Sequence, residues 1–204
     1  SNETSSSNAI EKAGFQRCVN RVGRNLIHTV ITDRHLQIAK IVREEMPTTL
    51  HQIDVWHVAK GIKKRLMKIQ RKKDCHIIQE WSKSIINHLY WCAMSSDGSI
   101  RELIVDKWKS ILNHIQNVHV HDSLIYPRCA HPPLSEDEPR KKWLDCTTQA
   151  YVELEKVVLN KRLLKDIAQL STRQQTSSLE AYNSLLLQFA PKLRAFSHRG
   201  MLCR

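Results

Sequence analysis

The sequence predicts an α+β chain, predominantly helical, in which two early parallel strands precede a long all-helical block. Three observations predict it. Leu26-Ile27-His28-Thr29-Val30-Ile31-Thr32 is an apolar, β-branched run that ends in Asp33, the pattern of a buried parallel strand delivering an acid to its C-terminal edge. A second such run, Leu50 to Val55, follows after one helical segment, so the pair reads as a βαβ unit with adjacent parallel strands. From residue 57 onwards the apolar positions recur at helical spacing, and no strand of comparable quality returns.

Taken in order, Ser1 to Asn8 is polar. Ala9 to Val22 has the spacing of a helix, stopped by Gly23. The strand 26–32 comes next, then a helix over 34–45 carrying Leu36, Ile38, Ala39, Ile41 and Val42 and ending before Pro47. After the strand 50–55, helix 57–73 buries Val58, Ile62, Leu66 and Ile69. Its remaining positions are cationic: Lys60, Lys63, Lys64, Arg65, Lys68, Arg71, Lys72 and Lys73, with no acid among them. Asp74 can cap a helix over 75–92. A further helix over 100–118 steps Ile104, Trp108, Ile111, Ile115 and Val118. Residues 122–142 hold Pro127, Pro132, Pro133 and Pro139 and read as a long loop. A helix over 148–170 follows, and a last one over 178–190 stops before Pro191. The expected organisation is a partial core over 1–75, a helical insertion over 76–170, and a return helix with a basic tail over 171–204.

Composition narrows the partners. Thirty-two Lys and Arg against twenty Asp and Glu leave a net charge of +12, which favours a polyanion, nucleic acid before an anionic membrane. No apolar run reaches the ~18 residues a transmembrane helix needs. The Ser- and Asn-rich start has no signal-peptide h-region. It also lacks an initiator Met, so either a leader has been removed or the chain is an excerpt of something longer. The six cysteines are scattered without a Cys-x-x-Cys pair, the usage of reduced thiols in an intracellular protein.

Each candidate residue has a bland reading beside its functional one. Asp33 at a strand edge could serve a metal, or it could cap helix 34–45. Ser177-x-x-Glu180 forms a capping box. Asp54 and His57 could arrange an active site, or be a strand-end acid and a hydrogen-bonded core imidazole. Trp56 reads as core. The cations of helix 57–73 could be a solvated face, but eight without an acid favour phosphate contact, with Lys161, Arg162 and Lys165 as a second cluster. Such contacts give affinity with little sequence preference. His114, His119, His121 and His131 with Cys129 invite a zinc reading. Cys-x-His is unusual ligand spacing, and His114 and His119 are offset on a continuous helix, so structural zinc is disfavoured.

Several blocks together resemble a DDE-type transposase with an RNase H-like catalytic core, in the Kolobok-like group that is associated with THAP zinc domains. They are Val30-Ile31-Thr32-Asp33-Arg34-His35, Asp54-Val55-Trp56-His57-Val58-Ala59-Lys60-Gly61, Asn87-His88-Leu89-Tyr90-Trp91, Asn113-His114-Ile115-Gln116-Asn117-Val118-His119, Leu159-Asn160-Lys161-Arg162-Leu163-Leu164-Lys165-Asp166-Ile167 and Gly200-Met201-Leu202-Cys203-Arg204. The resemblance implies a three-carboxylate site for two Mg²⁺ or Mn²⁺ ions, with Asp33 as the second acid and Glu180 as the third. Two such ions would activate the attacking oxygen and stabilise the leaving one during DNA cleavage and strand transfer. The Asp54-x-x-His57 motif is similar to one that recurs between the second and third acids in related transposases. The first acid and the opening strands would lie upstream of Ser1. The resemblance therefore implies a partial RNase H-like core with a helical insertion, inactive alone, from a nuclear protein acting on double-stranded DNA, with homo-oligomers possible. The alternative is a non-enzymatic DNA- or protein-binding remnant of a domesticated transposase.

Overall fold

A computed structural model describes residues 6–98, 100–132, 142–172, 177–189 and 199–200. The chain divides into Ser1–Arg173 and Gln174–Arg204. The first unit is mixed α and β and mostly helical, around a small parallel sheet.

The first helix, α1 (Ser7–Val22), starts where the Ser6 hydroxyl accepts from the Ala9 amide. It stops at Gly23, whose φ of 94° needs the missing Cβ. The strands β1 (Thr29–Thr32) and β2 (Leu50–Ile53) pair in parallel, with Thr29 opposite Leu50 and Thr32 opposite Ile53. The crossover between them is α2 (Leu36–Glu45). The βαβ expectation holds, with strands shorter than the apolar runs. Arg24–Leu26 winds as a 3₁₀ turn, so β1 begins three residues later than expected. Asp33 does not cap α2: the His35 Nδ1 accepts from the Ile38 amide instead.

Helix α3 (Val55–Ile69) starts earlier than expected because Asp54 is its cap, accepting from the Trp56 amide. The helical block continues through α4 (Ile78–Met94), α5 (Arg101–Lys109), α6 (Ile111–His114), α7 (Gln149–Val158) and α8 (Lys161–Ile167). Asp74 does not cap α4; it sits in the left-handed region at φ 59°. Two expected single helices are broken. Segment 100–118 turns at Ser110 and ends at His114. Segment 148–170 breaks at Leu159, and Asn160 caps α8 by accepting from the Leu163 amide.

One apolar core runs from Ile53 and α3 through α4 to α8 and ends at Leu170. The expected boundary at 75/76 leaves no gap in it, since Ile69, Cys75 and Ile78 are buried together. Trp108, fully buried, donates its indole N–H to the Val158 carbonyl at 3.1 Å. A smaller core of Val19, Val42 and Met46 lies among α1, α2 and β1. After α8 the chain returns to the sheet: Ile53 and Leu170 form a parallel bridge, with Ile53 N–H donating to the Gln169 carbonyl and Ser171 N–H to the Ile53 carbonyl. No apolar run announces this third sheet position. In the second unit, α9 (Ser177–Phe189) matches the helix expected over 178–190. The side chains of Ser177 and Glu180, and hence the expected capping box, lie outside the described residues.

Candidate nucleic-acid interface and metal centre

The basic face is built by α3. Val58, Ile62, Leu66 and Ile69 are buried, which turns Lys60, Lys63, Lys64, Arg65, Lys68 and Arg71 outwards. At about 100° per residue, Lys60, Lys64 and Lys68 fall within an arc of about 80° opposite the buried stripe, and Arg71 is exposed in the turn just past the end of the helix. Lys63, Lys64, Lys68 and Arg71 form no ion pair with a described carboxylate, whereas Lys72 is held 2.6 Å from Glu153. The Lys72 and Lys156 ammoniums share Glu153, and their hydrogen bonds, Lys156's first, pull its carboxyl down to about 2. Trp56 is exposed rather than core, with the Lys60 ammonium 4.7 Å above its ring.

A second set of cations meets this face at Asp166. Arg34, left-handed at φ 80°, places its guanidinium 2.8 Å from the Asp166 carboxylate. Burial raises the Asp166 carboxyl, and Arg34, Arg162 and Arg65 together oppose that rise. Arg65 from α3 and Arg162 from α8 are thus close enough to act on one acid, with Lys161, Arg162 and Lys165 all exposed.

The expected catalytic residues have other surroundings. Asp33 is exposed at the end of β1. Asp54 is 1% exposed and occupied as a helix cap. His57 is half-buried against Trp56, its Nδ1 without a hydrogen-bond partner among the described residues. Glu180's side chain lies outside the described residues.

The metal-ligating side chains that do converge are His114, His119, Cys129 and His131, whose donor atoms all lie within 4.8 Å of one another. This corrects the expectation of a Mg²⁺ or Mn²⁺ centre on Asp33 and Glu180, and with it the dismissal of zinc. Three imidazoles and a thiol are borderline-to-soft donors that suit zinc, whereas Mg²⁺ wants hard oxygens. The premise of a continuous helix was wrong. Helix α6 ends at His114, and Asn117 takes φ 63°, which reverses the chain so that His119 returns to His114. A short antiparallel bridge, Val120 to Arg128, then sets Cys129 beside His119, with the Cys129 N–H donating to the His119 carbonyl at 3.0 Å.

Burial and the neighbouring imidazoles lower His114 to about 4, and burial and His131 lower His119. Both rings are therefore neutral near pH 7, with a lone pair to give. Burial raises the Cys129 thiol. Trp81 and Trp143 stand edge-on to His114 at 6.2 and 6.1 Å. Beside the cluster opens a cleft of about 440 Å³, bordered by His114, Cys129 and His131 and also by His88, Trp91 and Tyr126. His88, pushed down to about 4 by burial, gives its Nε2–H to the Lys107 carbonyl at 2.7 Å.

Among the described residues no helix is long and apolar enough to cross a membrane. No protein-family model, curated protein or solved structure matches the chain.

Proposed function

We propose that this chain is a non-catalytic, transposase-derived module that binds double-stranded DNA in the nucleus through the basic faces of α3 and α8. The observation that carries it is the strip Lys60, Lys64, Lys68 and Arg71, turned away from the core. A net charge of +12 supports the same partner. The cations around Asp166 extend the surface, and phosphate contacts of this kind bind duplex with little regard to sequence. Exposed Trp56 adds a ring at one end of the strip.

An RNase H-like ancestry is supported by the parallel βαβ unit and by the blocks that resemble DDE transposases. Asp33 belongs to no group of three metal-ligating side chains among the described residues.

Fluorescence anisotropy with a labelled duplex over a salt series tests this function. We expect binding at about 50 mM salt that weakens steeply towards about 200 mM and is unchanged by Asp33→Ala. Absence of binding at the lower salt, salt-independent binding, or divalent-metal cleavage abolished by Asp33→Ala would each overturn it.

A further inference from the structure

We propose that His114, His119, Cys129 and His131 hold one Zn²⁺ as a closed, four-coordinate staple that fixes the segment 118–132 to the helical core. This stands independently of DNA binding.

The spacing of the donors fits the ion. Zinc takes nitrogen at about 2.0–2.1 Å and sulfur at about 2.3 Å in a tetrahedron. The edges of such a tetrahedron are roughly 3.3 Å between nitrogens and roughly 3.6 Å between nitrogen and sulfur. The His131 Nε2 lies 3.4 Å from the His114 Nδ1, and the Cys129 Sγ lies 3.7 Å from the same atom. The three rings stand at 69°, 82° and 86° to one another, with centroids 4.9 to 5.2 Å apart. Imidazoles that pack for their own sake often stack; these three point their edges at one spot.

In His131 and His119 the other ring nitrogen is engaged in a way that frees the lone pair. His131 donates its Nδ1–H to the Pro132 carbonyl at 2.7 Å, which leaves Nε2 bare. His119 donates its Nε2–H to the Asn117 Oδ1 at 3.1 Å, and its Nδ1 is buried with no hydrogen-bond partner among the described residues. A buried, bare nitrogen without a partner is costly unless something else occupies it. Outer hydrogen bonds of this kind are what fix the tautomer and ring angle of metal-ligating histidines. The His121 Nε2 lies 3.3 Å from the Cys129 Sγ, and its Nδ1 faces the Asn113 amide at 3.2 Å. His121 is the residue that hydrogen-bonds the sulfur from outside.

Four protein donors fill a tetrahedron and leave no open position for substrate, so the ion is structural. The segment has need of one. Of residues 118–132 only His121 is buried, while Val120 and Leu124 face solvent. Apolar burial cannot anchor a loop of that composition, and a metal crosslink can.

Elemental analysis of the purified 204-residue chain, with Co²⁺ replacement, tests the proposal. We expect one zinc per chain. The cobalt form should show the intense visible bands of a tetrahedral site and a near-ultraviolet thiolate charge-transfer band. Cys129→Ser should remove that charge-transfer band, and His121→Ala should keep the stoichiometry while weakening affinity about 10- to 100-fold. Should Cys129→Ser fail to fold, limited proteolysis of the native chain with and without chelator serves in its place: cleavage within 118–132 should appear only when metal is stripped. A folded chain without stoichiometric zinc, weak octahedral cobalt bands, a charge-transfer band that persists in Cys129→Ser, or proteolysis indifferent to chelator would overturn the staple. Loss of all binding in His121→Ala with full binding in His119→Ala would overturn the ligand set.

Discussion

Replacing Lys60, Lys64, Lys68 and Arg71 together by Gln removes the strip that faces away from the core of α3. Along a helix rising 1.5 Å per residue, Lys60 to Lys68 span about 12 Å, with Arg71 in the turn that follows, enough to follow several phosphates of one groove edge. Each neutralised phosphate contributes about −0.9 to the slope of log affinity against log salt, so four contribute about −3.6. Between about 50 and 200 mM salt, that share amounts to roughly a 150-fold loss of affinity in the native chain, and the variant should lack it. Lys72 stays untouched because Glu153 already holds it. Gln matches Lys and Arg closely in helix propensity, and the four side chains are exposed. Stability should therefore move by less than about 0.5 kcal/mol. Anisotropy titrations at several salt concentrations, with a thermal melt of the same preparation, make the measurement. A variant that melts like the native chain and binds duplex with the native slope refutes the placement of DNA on α3.

Two further outcomes concern the fold. Asp54→Ala should lower stability by about 1–2 kcal/mol, because it removes the cap of α3, and should leave duplex affinity unchanged; a fall in affinity with no change in melting would return Asp54 to the functional site. Burial pushes His88 down to about 4 from the ordinary 6.5. Between those values the unfolded chain binds a proton that the folded chain does not, so stability is full above about pH 6.5 and falls as the pH drops towards 4, by about 3 kcal/mol from this ring. Urea unfolding at pH 7 and near pH 4.5 should show a shallower decline for His88→Gln than for the native chain; equal declines would count against this assignment.

The parts of this molecule that could be read from sequence are those decided by neighbours in the chain. The βαβ unit follows from two β-branched runs around one amphipathic segment, and α3's two faces follow from the spacing of Val58, Ile62, Leu66 and Ile69. Short-range competition misplaced the boundaries. Asp54 looked like the end of a strand, yet a carboxylate followed by a helical stripe is also a cap, and the cap won. Asn160 carried the same signal in the middle of an apolar pattern long enough to hide it. The His/Cys cluster was noticed in the sequence but set aside, for a different reason. Its donors come from the end of α6 and from a loop, and what joins them is one left-handed residue, Asn117, and one antiparallel bridge. Neither has a periodicity. The available signal was density: His114, His119, His121, Cys129 and His131 crowd a stretch that has little else to bury.

The bridge between Ile53 and Leu170 also constrains the order in which the chain can fold. It closes a loop of roughly 117 residues, which in a flexible chain would cost about 4 kcal/mol of closure entropy before any contact repaid it. The pairing of β1 with β2 crosses only one short helix, and the α3–α8 core is built largely from neighbouring segments. Local pairing and helix packing should thus come first, and the last edge of the sheet should form only once that packing has brought residue 170 back. During synthesis the same geometry leaves one side of β2 without its partner until residue 171 has left the ribosome, so that edge stays open to pairing with another nascent chain until then.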